Sequence, residues 1–95
     1  EENGDSGSIL LIDTYTTKAN AVAKMGRYKE AHQLCKKAKE INPDEGLIFL
    51  TEGKVYLEED IEKKATQAFK KAAKTSTGPE MWYMIGTAYS EQNYL

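Results

Sequence analysis

The sequence has no apolar run approaching the roughly 18 residues of a membrane span. The stretch Ile9 to Ile12 lacks the basic flank of a signal peptide. There is one cysteine, Cys35, so no internal disulfide can form. The compartment stays open, although a lone thiol favours a reducing one such as the cytoplasm, or is simply buried. No excess of one charge exists: 13 basic residues face 15 acidic ones, a net charge of -2. That balance excludes both an overall nucleic-acid footprint and a polyacidic tail. With 95 residues the chain is one small domain, 40% apolar and 29% charged. Chains of this size bury only roughly 60 to 65% of their unfolded surface, so a large enclosed active site is not expected.

What is present is helical periodicity. Residues 1–8, "EENGDSGS", are acidic and glycine-rich without a large apolar side chain, and nothing there offsets the entropy of ordering them. A disordered tail or expression remnant is expected, with order beginning at a Ser8 cap and a domain over 9–95. Leu11, Ile12, Tyr15, Ala19 and Val22 recur at helical steps, predicting a helix over about 9–25 that ends at Gly26. Ala31, Leu34, Cys35, Ala38 and Ile41 predict a second over about 29–41. Only "MGRY" separates them, so they form an antiparallel hairpin. "NPDE" at 42–45 has the pattern of a capping box, with Asn42 capping, Pro43 in the first turn and Glu45 reaching back. A third helix to about Glu58 carries Leu47, Ile48, Phe49, Leu50, Val55, Tyr56 and Leu57 around much of its circumference, so it must be covered on several sides. A fourth over about 62–75 shows the narrow stripe Ala65, Ala68, Phe69, Ala72 and Ala73. "STGP" breaks it, and a fifth helix follows.

Superposing the segments reveals a repeat. Ala31, Cys35 and Ala38 keep the spacing of Ala65, Phe69 and Ala72, displaced by 34 residues. Tyr15, Ala19 and Val22 match Phe49, Gly53 and Tyr56 at the same displacement, and these match Trp82, Gly86 and Tyr89 after a further 33. Small residues at 19, 53 and 86 let helices approach, while Tyr15, Phe49, Phe69 and Trp82 fill gaps between hairpins.

This pattern resembles the tetratricopeptide repeat. Trp82, Ile85, Gly86 and Tyr89 fit the family's opening pattern, and "GRYKEAHQLCKKAKEINP" at 26–43 fits its closing half. Lys18 and Glu52 depart from it where leucine is usual, and Thr77 stands where the second repeat would close with proline. The resemblance implies an all-α solenoid of antiparallel hairpins, a right-handed superhelix of about five helices. Its repeats would be 12–45 and 46–78, with a half-repeat at 79–95. Because the second helix of the third repeat and its turn at Asn93-Tyr94 are only begun, the segment is expected to belong to a longer array.

No catalytic set, cofactor motif or metal cluster is read in the sequence, and an enzyme is not expected. His32 and Cys35 stand three apart, yet Cys35 occupies a repeat core position and no further ligand-type residue accompanies them. "TEGK" at 51–54 lies inside a helix and cannot be a phosphate loop. Glu58, Glu59 and Asp60 read as a solvated turn. Nine lysines lie on the second helices, but without interleaved aromatics they read as a solvated face, so nucleic acid is not an expected partner.

The resemblance implies a concave groove, lined by the first helices, that holds a peptide or partner helix. By position it comprises Asp13, Thr16, Asn20 and Ala23, then Leu50, Lys54 and Leu57, then Tyr83, Thr87 and Ser90. The ligand is an unidentified protein or peptide. Family members that clamp acidic chaperone tails use basic and amide side chains where this chain has Thr16, Asn20, Thr51, Glu80 and Met84. Only Asn20 agrees, so such tails are disfavoured. The alternative is self-assembly into a homo-oligomer through an open apolar side of the fifth helix, around Met81, Ile85 and Ala88.

Overall fold

The computed structural model describes residues 3–75 and 79–91, with side chains from residue 10 onward. Five helices form: α1 (Asn3–Lys24), α2 (Tyr28–Ile41), α3 (Gly46–Glu58), α4 (Glu62–Thr75) and α5 (Pro79–Glu91). No strand occurs among the described residues. Of the expected "STGP" break at 76–79, residues 76–78 lie outside them and Pro79 opens α5, and the turn at Asn93-Tyr94 also lies outside.

The helix α1 starts at Asn3, upstream of the expected Ile9, and Ser8 is therefore inside it rather than capping it. Residues added to an existing helix need only propagate it, which costs far less than nucleation and tolerates poor formers. The capping box at 42–45 does not form either. The Asn42 carboxamide oxygen accepts the N–H of Asp44 at 3.1 Å, which makes a side-chain-closed turn. The new helix then begins at Gly46 after an extended Glu45 with no side-chain cap.

Both hairpins turn in the same way. At Gly26, φ is +84°, and the N–H groups of Gly26 and Arg27 donate to the carbonyls of Ala23 and Val22 at 2.9 Å each. Thirty-four residues on, Asp60 has φ 69°, with Asp60 and Ile61 donating to Leu57 and Tyr56 at 3.0 and 2.8 Å. Each set is the paired closure that ends a helix on a left-handed residue. Glycine takes that conformation without a Cβ clash, whereas aspartate is among the few other residues that tolerate it.

The helices pack in two ranks. The pairs in contact are α1 with α2, α3 with α4, α1 with α3, α2 with α3, α3 with α5 and α4 with α5. Thus α1, α3 and α5 form one row, while α2 and α4 lie against the junctions. The apolar circumference of α3 is explained by its four neighbours. The result is a slab of 44 × 30 × 17 Å. One core cluster joins the first hairpin to α3, around Ile12, Ala19, Val22, Ala31, Cys35, Ile48 and Val55. The other joins Leu50, Leu57, Ala65, Phe69 and Ala72 to Met81, Ile85 and Ala88.

That second cluster corrects the self-assembly expectation. Met81, Ile85 and Ala88 are buried inside the chain, because the 81, 85, 88 face of α5 packs on α3 and α4. The aromatic assignment holds in part. Phe69 is buried and Tyr15 and Phe49 are half-buried, but Trp82 fills no gap between hairpins and is 61% exposed.

Candidate functional site

The three first helices lie side by side, so equivalent positions form rows across them. The upper row is Thr16, Leu50 and Tyr83, the middle row Asn20, Lys54 and Thr87, and the lower row Ala23, Leu57 and Ser90. Each row meets a different fate. Thr16, Ala23, Leu50 and Leu57 are buried, at 1 to 2% exposure, whereas Tyr83 is 77% exposed and Ser90 is exposed. The reason is stacking: α3 packs beside α1 and α5 beside α3, whereas no described helix packs on the side of α5 away from α3 and α4. The four buried residues therefore pack the array and offer no side chain to a ligand. The middle row stays accessible in all three helices, with Asn20 and Lys54 half-buried and Thr87 exposed. Asp13 is exposed beside a shallow cleft bordered by Leu10, Ile12, Glu45 and Leu47.

The buried hydroxyls are satisfied locally. Thr16 donates to the carbonyl of Asp13 at 3.1 Å and Thr51 to that of Leu47 at 2.8 Å. Both are therefore committed to their own helix.

Away from the rows, polar contacts tie the first hairpin to the second. His32 donates through Nε2 to Glu59 Oε1 at 2.6 Å, with its ring 4.6 Å from that of Tyr56. The Tyr28 hydroxyl donates to the Glu58 carbonyl at 3.0 Å, which gives a partner to a carbonyl at the end of α3. Lys39 pairs with Glu52 at 2.7 Å and lies 5.5 Å from the centre of the Phe49 ring, with Lys71 at 5.8 Å from the same ring. Lys64 stands 5.7 Å from the Tyr56 ring. The sequence alone places these lysines wholly on a solvated face. Their role over aromatic rings depends on α2 and α4 both leaning on α3, which periodicity within one helix does not show.

Cys35 is buried, and burial, reinforced by the negative charge of Glu52, pushes its thiol up to about 12 from 9.0. A thiol so held is not a nucleophile at neutral pH. Burial likewise raises Tyr56, with Glu52 and Glu59 adding to the effect. The native Cys35 holds its proton more tightly than the unfolded chain does. Its contribution to stability is then complete below pH 9 and lost as pH climbs towards about 12. Urea unfolding at stepped alkaline pH should show stability falling across that window, by at most about 1.4 kcal/mol per pH unit from this group. Cys35→Ala should make the fall shallower; an unchanged slope would refute the assignment to Cys35.

Among the described residues, no three His, Cys, Asp or Glu side chains gather into a metal-binding group. No described helix is long and apolar enough to cross a membrane.

Residues 12–45 match the family model described as tetratricopeptide repeat. The five helices are consistent with an array of such repeats, and the fold is all-α. Comparison with curated proteins and with solved structures gave no match. Repeats of this family generally serve as non-enzymatic interaction modules, which points to protein partners.

Proposed function

We propose that this chain is a protein-interaction scaffold that holds an extended peptide along its middle row, with Asn20, Lys54 and Thr87 as the polar contacts. Tyr83 and Ser90 extend that surface at the α5 edge, and Asp13 borders it at the other end. The observation that carries the reading is the row itself. Of the three rows that would line the groove, it is the one whose side chains stay accessible on all three first helices. An amide at Asn20 can bond the main chain of an extended peptide, the Lys54 ammonium can hold a carboxylate, and the Tyr83 ring supplies apolar area. Acidic chaperone tails remain disfavoured. Two of the clamp positions, Thr16 and Thr51, are buried with their hydroxyls bonded to their own helix, and Glu80 has the wrong charge.

A peptide array probed with the wild-type chain and with Asn20→Ala, Lys54→Ala and Tyr83→Ala tests this. Peptides selected by the wild type should lose roughly five- to a hundredfold in affinity with Lys54→Ala or Tyr83→Ala, the range of about 1 to 3 kcal/mol for a contact that matters. Retention of full affinity by all three variants would refute the groove.

A further inference from the structure

Three lysines from two helices converge on one small cleft where the hairpins meet. Lys39 of α2, Glu52 and Tyr56 of α3, and Lys64, Gln67 and Lys71 of α4 line it, and it holds about 210 Å³. Helical spacing explains the convergence: 64, 67 and 71 share one face of α4, as 52 and 56 share one face of α3.

The charges in this cleft do not balance. The ammonium groups of Lys39 and Lys71 stand 5.5 and 5.8 Å from the centre of the same Phe49 ring, and that of Lys64 stands 5.7 Å from the centre of the Tyr56 ring. A ring face attracts each cation singly and leaves the mutual repulsion of the three untouched. Among the lining residues one carboxylate answers them, Glu52, which pairs with Lys39 at 2.7 Å. The nearby Glu59 is engaged by His32, and neither Lys64 nor Lys71 forms an ion pair among the described residues. Two uncompensated positive charges therefore share a recess, where salt screens their repulsion less than on an open surface.

The ligand that balances this cleft is small and doubly negative. Pockets that hold a whole small ligand run to about 300 to 1,000 Å³, so about 210 Å³ takes a single functional group. A phosphomonoester carries about -1.5 to -2 charge at neutral pH and three strong acceptor oxygens. A carboxylate or a sulfate ester brings a single charge. We propose that the cleft is a binding site for a phosphomonoester dianion, whose oxygens accept hydrogen bonds from Lys39, Lys64 and Lys71, with the Gln67 amide and the Tyr56 hydroxyl as uncharged donors. A phosphorylated side chain and a soluble phosphorylated small molecule present this same group. The site uses the 52 and 56 face of α3 rather than the Lys54 face, and it does not rest on the peptide reading.

Phenyl phosphate titrated into the isotope-labelled chain at about pH 7.5, where the ester is a dianion, is the direct probe. It should move the NMR signals of Glu52, Tyr56 and Gln67 saturably, with a Kd of about 1 mM or below. Phenyl sulfate, matched in shape with one charge fewer, should bind at least about fivefold more weakly. Lys64→Gln and Lys71→Gln should each weaken phenyl phosphate by a similar factor, and both side chains are exposed, so neither change threatens the fold. Glu52→Gln should act in the opposite sense and tighten binding about threefold, because it removes the carboxylate that competes for Lys39. Lys36→Gln and Lys74→Gln change the net charge equally but lie outside the cleft, and should leave affinity within about twofold. A degenerate peptide library with a fixed phosphoserine separates the two sources: tighter binding than phenyl phosphate assigns the group to a protein, and equal binding to a soluble molecule. No saturable shift, equal affinity for phenyl sulfate, or equal losses with Lys36→Gln and Lys74→Gln would overturn the proposal. So would binding confined to vesicles containing phosphatidic acid, which would make the lysines a membrane-facing surface instead. Failure of any of these arms leaves the peptide-array result for the middle row intact.

Discussion

Leu57→Ala is expected to cost about 2 to 5 kcal/mol of unfolding free energy, the range for emptying a packed leucine site. Leu57 is 2% exposed and belongs to the cluster that joins α3 and α4 to Met81, Ile85 and Ala88 of α5. Its loss leaves a cavity where α5 is attached, and among the described helices α5 touches α3 and α4 alone. A domain of this size has roughly 5 to 15 kcal/mol in total, so the variant should lose much of its margin. Urea unfolding followed by circular dichroism measures it directly. Lys54→Ala, one turn away on the same helix but accessible, should change stability by no more than about 0.5 kcal/mol. A cost below about 1 kcal/mol for Leu57→Ala would mean that this position is not packed as described. The contrast matters for function, since a binding defect in Leu50 or Leu57 variants would report a loosened array rather than a lost ligand contact.

Gly53→Ala should destabilise the chain by about 1 to 3 kcal/mol, against the usual gain from placing alanine in a helix. The added methyl meets the Phe69 ring, which is 3% exposed and has little room to withdraw. The first hairpin shows the alternative solution: Ala19 stands where Gly53 does, and Cys35 stands where Phe69 does. Both are fully buried, so a larger residue on the first helix is matched by a smaller one on the second. Adding Phe69→Cys to Gly53→Ala should relieve the overlap, so the two costs should sum to more than the double variant loses. A double-mutant cycle by urea unfolding should give a coupling of about 1 kcal/mol or more. Additive costs would show that ring and backbone do not meet. Gly86→Ala, with no ring above it, should instead stabilise by about 0.5 to 1 kcal/mol.

These pairs show where reading from sequence reaches its limit. The 34-residue displacement of Ala31, Cys35 and Ala38 onto Ala65, Phe69 and Ala72 is visible in the letters, and so is the hairpin order. Equivalent positions define the groove rows only if every first helix has the same surroundings. They do not: Leu50 is covered by α5, whereas Tyr83, its equivalent, has no described helix over it. The error over Met81, Ile85 and Ala88 has the same origin, since an apolar stripe looks identical whether it faces the core or a partner. At "NPDE" the local signal was also ambiguous, because an asparagine that caps a helix and one that closes a two-residue turn use the same side-chain oxygen.

Helix identity, hairpin pairing and repeat length follow from the amino-acid order because they depend on spacing within about 34 residues and on short connections between neighbours. Which members of a repeated set remain open depends on neighbours in space. Stacking buries Thr16, Ala23, Leu50 and Leu57, leaves the Asn20, Lys54 and Thr87 row accessible, and exposes Trp82, Tyr83 and Gly86 on α5. The physical reason is that burial is set by the helix lying alongside, and a repeating sequence carries no mark of which of its copies has one.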